Sequence, residues 1–161
     1  MLRRMPINRR ASWSVQIVSY LRNSYLLLVA LFWLCRVRFG LWRSPFQELH
    51  AQLSFESRKK LFYPFRTRPP LRHLIWAVDT SGRLMPDDVK CLAKALCAQA
   101  MAQQFNYDLD LRIGVAKPLD QSLDAHAWVV YQDRIILGNL PDLDKFIPLL
   151  SLPASPAEGT A

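Results

Sequence analysis

Two residues of this 161-residue chain, Cys91 and His126, have the types and the order that thiol chemistry requires. Cys91 opens the stretch CLAKALCAQAMAQQ, which predicts a helix with Asp88 as its N-cap, because a carboxylate there accepts hydrogen bonds from the first free N–H groups. A helix start also favours thiolate, the nucleophilic form of cysteine, since its unpaired N–H groups and its dipole stabilise negative charge. The simpler alternative is a buried, inert helical cysteine.

His126 lies in the second of two predicted strands, residues 108–117 and 125–131, which read DLDLRIGVAK and AHAWVVY. A cysteine at a helix start followed by a strand histidine is the chain order of papain-like and transglutaminase-like thiol enzymes. In that chemistry His126 takes the thiol proton and later protonates the leaving amine. Trp128 shares the face of His126, so it either walls the substrate cleft or packs in the core.

The group that orients His126 is less evident from the sequence. Gln132 and Asp133 predict a two-residue hairpin turn, and a turn centred between them places Asn139 opposite His126 on the same face. An asparagine there accepts a hydrogen bond from the ring but supplies no negative charge. Asp142 is the alternative if the chain folds back.

Neither a metal nor another cofactor is expected from the sequence. The three cysteines form no CxxC or Cys/His metal pattern, and no phosphate-binding glycine loop occurs. A small, odd number of cysteines is typical of a reducing compartment. The formal charge of +8 suits an anionic partner, but the chain carries none of the common nucleic-acid-binding motifs, so nucleic acid ranks last among the partners.

Four blocks, KCLAKAL, LRIGVAK, AHAWVVYQDRIILG and FIPL, stand in an order and spacing that resemble the stand-alone transglutaminase-like B proteins of lasso-peptide biosynthesis. These proteins are related to the C-terminal half of the longer microcin-processing B proteins, and the resemblance covers residues 71–149 in motifs. It implies an α+β fold with a transglutaminase-like, papain-like cysteine-protease core: N-terminal helices, a cysteine helix and a short antiparallel sheet. Relatives usually carry an aspartate on the strand after the histidine, where this chain has Gly138 and Asn139.

The resemblance also implies a function. We expect a cytoplasmic cysteine peptidase that removes the leader from a ribosomally made precursor, with Cys91 as nucleophile and His126 as base and acid. The expected partners are the precursor peptide, a separate leader-recognition protein and an ATP-dependent macrocyclase. A catalytically decayed scaffold that binds the leader or the macrocyclase is the second hypothesis.

Along the chain we expect a basic helical region at 1–68, the catalytic core at 69–150 and a disordered tail at 151–161. A helix is predicted over 13–39, with residues 40–45 breaking it, and its segment YLLLVALFWLC is apolar on every face, including Cys35. Such a helix is buried either in protein, which places Cys35 in the core, or in lipid. In the second case residues 15–35 anchor a membrane-peripheral protein at the inner membrane face.

Two further helices are expected between this segment and the cysteine helix. Residues 46–62 predict the first of them. Residues 71–78 predict the second, ending at 80–82, with His73 off its apolar stripe and therefore on the surface.

Overall fold

Four helices precede a small antiparallel sheet, which confirms the predicted α+β class. The computed structural model describes residues 9–59, 62–84, 91–116 and 124–153, with side-chain surroundings from residue 16 onward. The helices are α1 (Arg9–Arg43), α2 (Phe46–Ser57), α3 (Leu71–Leu84) and α4 (Cys91–Gln103). The strands are β1 (Asp110–Ala116), β2 (Asp124–Tyr131), β3 (Arg134–Leu137) and β4 (Ile147–Pro153), with a 3-10 turn at Leu143–Lys145.

Helix α4 is the centre of the core. Every residue from 95 to 102 is buried, and the alanines among them let the helix pack closely between α1, α3 and the sheet. The helix ends as predicted, because Asn106 adopts a left-handed φ of 55° and the Tyr107 N–H donates to the Ala102 carbonyl at 3.0 Å. The predicted N-cap, Asp88, lies outside the described residues.

Helix α1 ends at Arg43 and α2 begins at Phe46, so the break predicted within residues 40–45 is confirmed at Ser44 and Pro45. Residues 40–43 stay helical because Gly40 allows a close approach: a Cβ at this position would overlap the Leu49 side chain of α2. The prediction for Cys35 was wrong, since this side chain is exposed. An all-round apolar sequence does not reveal which of its faces meets the core.

Helix α3 is longer than the sequence predicts and extends to Leu84. Its last turns are stabilised by packing, because Ser81 and Gly82 are buried. The Ser81 hydroxyl donates to the Leu27 carbonyl of α1 at 3.3 Å. His73 is half-buried rather than on the surface. Burial, together with the nearby charge of Arg22, lowers the pKa of His73 below its usual value.

The sheet has the strand order β3-β2-β1-β4, with antiparallel pairing throughout. The predicted turn between β2 and β3 is confirmed, because Gln132 and Asp133 have φ values of 47° and 60°, as a tight hairpin requires. Strand β4 was not predicted: it is exposed on both faces and contains Pro148, so its sequence lacks the strand alternation. It includes residues 151–153 of the expected tail, whereas 154–161 lie outside the described residues.

The two faces of the sheet have different neighbours. Ala127 and Val129 of β2 belong to the large core that contains the four helices. Trp128 and Val130 point the other way, into a small cluster closed by Phe146. Because side chains alternate along a strand, His126 lies on the same face as Trp128.

Candidate active site

Cys91 is the first described residue of α4, and its side chain is half-buried at the border of the main core. Asp88 and Lys90 lie outside the described residues, so the position of the thiol at a helix start stays a prediction. Lys94, one turn on, bonds to Asp79 at 3.4 Å, which offsets the charge that this lysine would bring to the sulfur. The half-buried thiol is partly accessible, as a nucleophile requires.

The imidazole of His126 is packed between two aromatic side chains. It stacks on Trp128, with ring centroids 6.2 Å apart and planes inclined by 13°, and it meets Phe146 at 5.5 Å. Trp128 itself is 4% exposed, so it is a buried member of the small cluster, and one face of its indole ring contacts the imidazole. These contacts limit the rotation of the imidazole.

One ring nitrogen is held by the backbone. The Nε2 atom of His126 lies 2.7 Å from the Gly138 carbonyl oxygen. A carbonyl only accepts, so Nε2 carries the proton in the neutral ring and Nδ1 keeps its lone pair. Gly138 has a φ of 79°, and a Cβ there would lie 2.7 Å from the Ala127 oxygen, so this turn requires glycine.

Sequence reasoning missed the Gly138 carbonyl because a backbone acceptor has no side-chain signature. The β2–β3 register also differs from the predicted one. β2 and β3 pair as predicted at Tyr131↔Arg134, but an irregularity after Val130 shifts the ladder to Val129↔Leu137. The register that set Asn139 opposite His126 is therefore off by one residue. The only signal in the sequence was a glycine where relatives carry their aspartate.

The two side chains predicted to orient His126 lie elsewhere in the described structure. Asn139 is exposed and lines a groove beside β3. The Asp142 carboxylate bonds to Lys145 at 3.2 Å. The orienting role of either residue stays a prediction, since a bound substrate can reorder this segment. Asp133 sits in the hairpin turn, where the sequence placed it.

A groove of about 610 Å³ runs between α3 and β3 and reaches Gly138. β3 is an edge strand, so its outer backbone groups face this groove instead of another strand. The walls are largely apolar, with polar groups from both elements; they are formed by Leu71, Arg72, Ile75, Trp76, Asp79 and residues 135–139. Such a channel suits an extended peptide, which can pair with a strand edge.

The structure brings His126, Trp128, Phe146 and Gly138 into contact. No hydrogen bond joins the Cys91 thiol to the imidazole within the described residues, and thiol–base contacts often tighten only when substrate binds. β3 pairs with residues 129–131, and Gly138 continues along β2 against Ala127 and Trp128. Cys91 borders the helical core and His126 contacts the cluster on the other face of the sheet, so the pairing of the two side chains stays a prediction. The described residues contain no His, Cys, Asp or Glu cluster that could hold a metal ion.

A family model described as the transglutaminase-like superfamily matches residues 31–151 of the chain. The match begins within α1 and extends into β4, so it takes in the other three helices, the histidine strand and the groove. No curated protein and no solved structure matches the chain.

Proposed function

Because the chain belongs to the transglutaminase-like superfamily, which includes cysteine peptidases and transglutaminases, we propose that it is a cysteine peptidase. In this proposal Cys91 is the nucleophile and His126 the general base and acid, and the substrate is the leader-bearing precursor of a lasso peptide. The observation that carries the proposal is the bond between Nε2 and the Gly138 carbonyl. It selects the tautomer in which Nδ1 can accept a proton from a thiol.

The reaction follows from this tautomer. Nδ1 of His126 takes the thiol proton, and the Cys91 sulfur attacks the scissile carbonyl carbon. Backbone N–H groups at the start of α4 stabilise the oxyanion, as helix N-termini do for other anions. The imidazolium gives its proton to the leaving amine, the C–N bond breaks and a thioester remains. Water then attacks the thioester with His126 again as base, which releases the acid and restores the thiol.

The group that orients His126 limits the rate of peptide cleavage. A carbonyl carries only a partial negative charge, so it stabilises the imidazolium less than a carboxylate in the same position. The Gly138 carbonyl therefore fixes the ring without strengthening it as a base. We expect slower turnover than in relatives that carry the aspartate.

The groove supports a peptide substrate. An extended chain laid along β3 gains backbone hydrogen bonds from the strand edge and places apolar side chains against Ile75 and Trp76. Because the groove reaches Gly138, a chain bound there passes beside His126. The leader identity, the separate leader-recognition protein, the downstream macrocyclase and the cytoplasmic location rest on the sequence resemblance.

The proposal is tested with the full chain, the leader-recognition protein and precursor peptides encoded by neighbouring reading frames. Mass spectrometry should show a single cut that separates leader from core peptide, and a transient adduct of the cleaved segment on Cys91. Cys91→Ala should abolish both signals, while the matched variant Cys97→Ala should keep them. Unchanged cleavage by Cys91→Ala with all partners present would refute the peptidase proposal.

A non-catalytic scaffold is the second candidate, and it is favoured because Nε2 of His126 meets a backbone carbonyl where relatives supply an aspartate. A scaffold predicts that the precursor binds with the same affinity to wild type and Cys91→Ala, and that neither protein cleaves it. Calorimetric binding measured alongside the cleavage assay separates the two functions.

A further inference from the structure

Helix α1 has two apolar faces on opposite sides. The inner face packs into the main core, where each of its residues is at most 4% exposed: Leu26, Ala30, Trp33, Leu34 and Val37. The outer stripe consists of apolar residues three, four or seven positions apart, which puts them along one line of the helix. It contains Leu21, Leu28, Phe32, Cys35, Phe39 and Trp42. Its aromatic and leucine members are 54% to 81% exposed.

The inner face excludes a membrane-spanning role for α1 in this fold. Residues Gln16–Arg43 have the length and the mean hydropathy, 1.6, of a membrane span. A spanning helix must be surrounded by lipid or other spanning segments, whereas one face of α1 is sealed by α3 and α4. With 35 residues the helix is about 52 Å long, so its outer stripe forms a long apolar line on the protein surface.

Charge decides what can cover the outer stripe. Arg22, Arg36 and Arg43 each directly follow a stripe residue, and Arg38 lies on the other side of the stripe. The spacing of the stripe resembles that of a coiled coil, but two copies would bring these arginines against one another. Arg36 is partly neutralised by Glu56 at 2.9 Å, and Arg22 is half-buried with its charge near His73. The exposed flanking arginines are therefore Arg38 and Arg43. This combination fits an anionic surface and disfavours a second copy of the chain.

We propose that the outer stripe docks the protein, in the plane of the membrane, on a bilayer that contains anionic lipid. Phe32, Phe39 and Trp42 enter the boundary between headgroups and acyl chains, where aromatic side chains are favoured. The flanking arginines bind the lipid phosphates. The inner face of α1 stays packed in the main core in this arrangement, so docking requires no unfolding of α1.

Flotation of the full-length protein with vesicles tests the docking. Vesicles of phosphatidylcholine and phosphatidylglycerol should carry the protein at low salt, and vesicles of phosphatidylcholine alone should carry much less. The double substitution Phe32→Glu, Phe39→Glu should weaken binding by at least about tenfold. The matched control Ile147→Glu, Leu149→Glu makes the same change of charge at equally exposed positions of β4 and should bind as wild type. Circular dichroism verifies that both double variants are folded.

Three results would overturn the docking proposal. The wild-type protein could fail to float with the anionic vesicles. The β4 control could lose binding as strongly as the stripe variant. The protein could instead form a dimer whose two Cys35 thiols cross-link on oxidation, which would show that a second copy covers the stripe. Cys91→Ala should float like wild type, so this proposal stands or falls independently of the peptidase chemistry.

Discussion

Cys91 and Cys97 lie on the same helix, yet they differ in their burial and in the contacts of their side chains. Cys97 is completely buried, its Sγ atom lies 3.6 Å from the Ala30 carbonyl of α1, and burial raises the pKa of its thiol. Cys91 is half-buried at the first described residue of α4. The same helix therefore holds one thiol that is sealed in the core and one that is partly accessible.

The largest difference is expected in thiol accessibility. In the native protein a small alkylating reagent should modify Cys91 at least as fast as the exposed Cys35. Cys97 should react at least about 10³-fold more slowly, because its modification requires an opening of the core that costs several kcal/mol. Peptide mapping after timed alkylation measures both rates in one sample, and Cys35 serves as the exposed reference. Similar rates for the two α4 cysteines would contradict the placement of Cys97.

Next in size is the effect of the group that orients the imidazole. Gly138→Ala should lower the cleavage rate by about 10²-fold, the usual contribution of a general base, because its Cβ pushes the turn away from His126. A loss of stability of about 1–2 kcal/mol should accompany it, since alanine is strained at positive φ.

Asn139→Ala is the matched control for this prediction, since it leaves the Gly138 carbonyl in place. It should change the cleavage rate by less than about threefold, because the Gly138 carbonyl, and not this exposed side chain, is bonded to the ring. A drop as large as that of Gly138→Ala would restore Asn139 as the orienting residue and remove that role from the carbonyl.

The smallest effects concern the free energy of unfolding. Here Cys97, and not Cys91, is the cysteine whose substitution matters. Cys97→Ala should lower the free energy of unfolding by about 1 kcal/mol, because it leaves a small cavity in the core. Cys91→Ala should change it by less than about 0.5 kcal/mol, as is usual for a partly exposed position. Urea unfolding of both variants checks the comparison, and a larger loss for Cys91→Ala would mean that this side chain is structural.

The sequence predicted the elements that are patterned within themselves. The cysteine helix, its end at Asn106 and the hairpin at Gln132 and Asp133 follow from local signals: buried alanines, a left-handed residue and a two-residue turn. The end of α3 depends on a neighbour and was predicted too early, because Ser81 is buried against α1.

Sequence reasoning could predict the side chains of the site but not its backbone groups. Cys91 and His126 were found because their types and order are chemical signals, and both stay predictions until activity is measured. The Gly138 carbonyl could not be predicted, because a backbone acceptor has no side-chain signature in the sequence. Likewise, the apolar composition of α1 could not separate its inner face from its outer stripe, since both consist of the same residue types.

The proposal that Cys91 and His126 act as a pair is tested most directly by the pH dependence of Cys91 alkylation in wild type and in His126→Gln. A paired imidazole keeps the thiol ionised in mildly acid solution. The account predicts that His126→Gln lowers the alkylation rate of Cys91 at pH 6 by at least about tenfold, while the rate at Cys35 is unchanged. Identical rate profiles at Cys91 in the two proteins would contradict it.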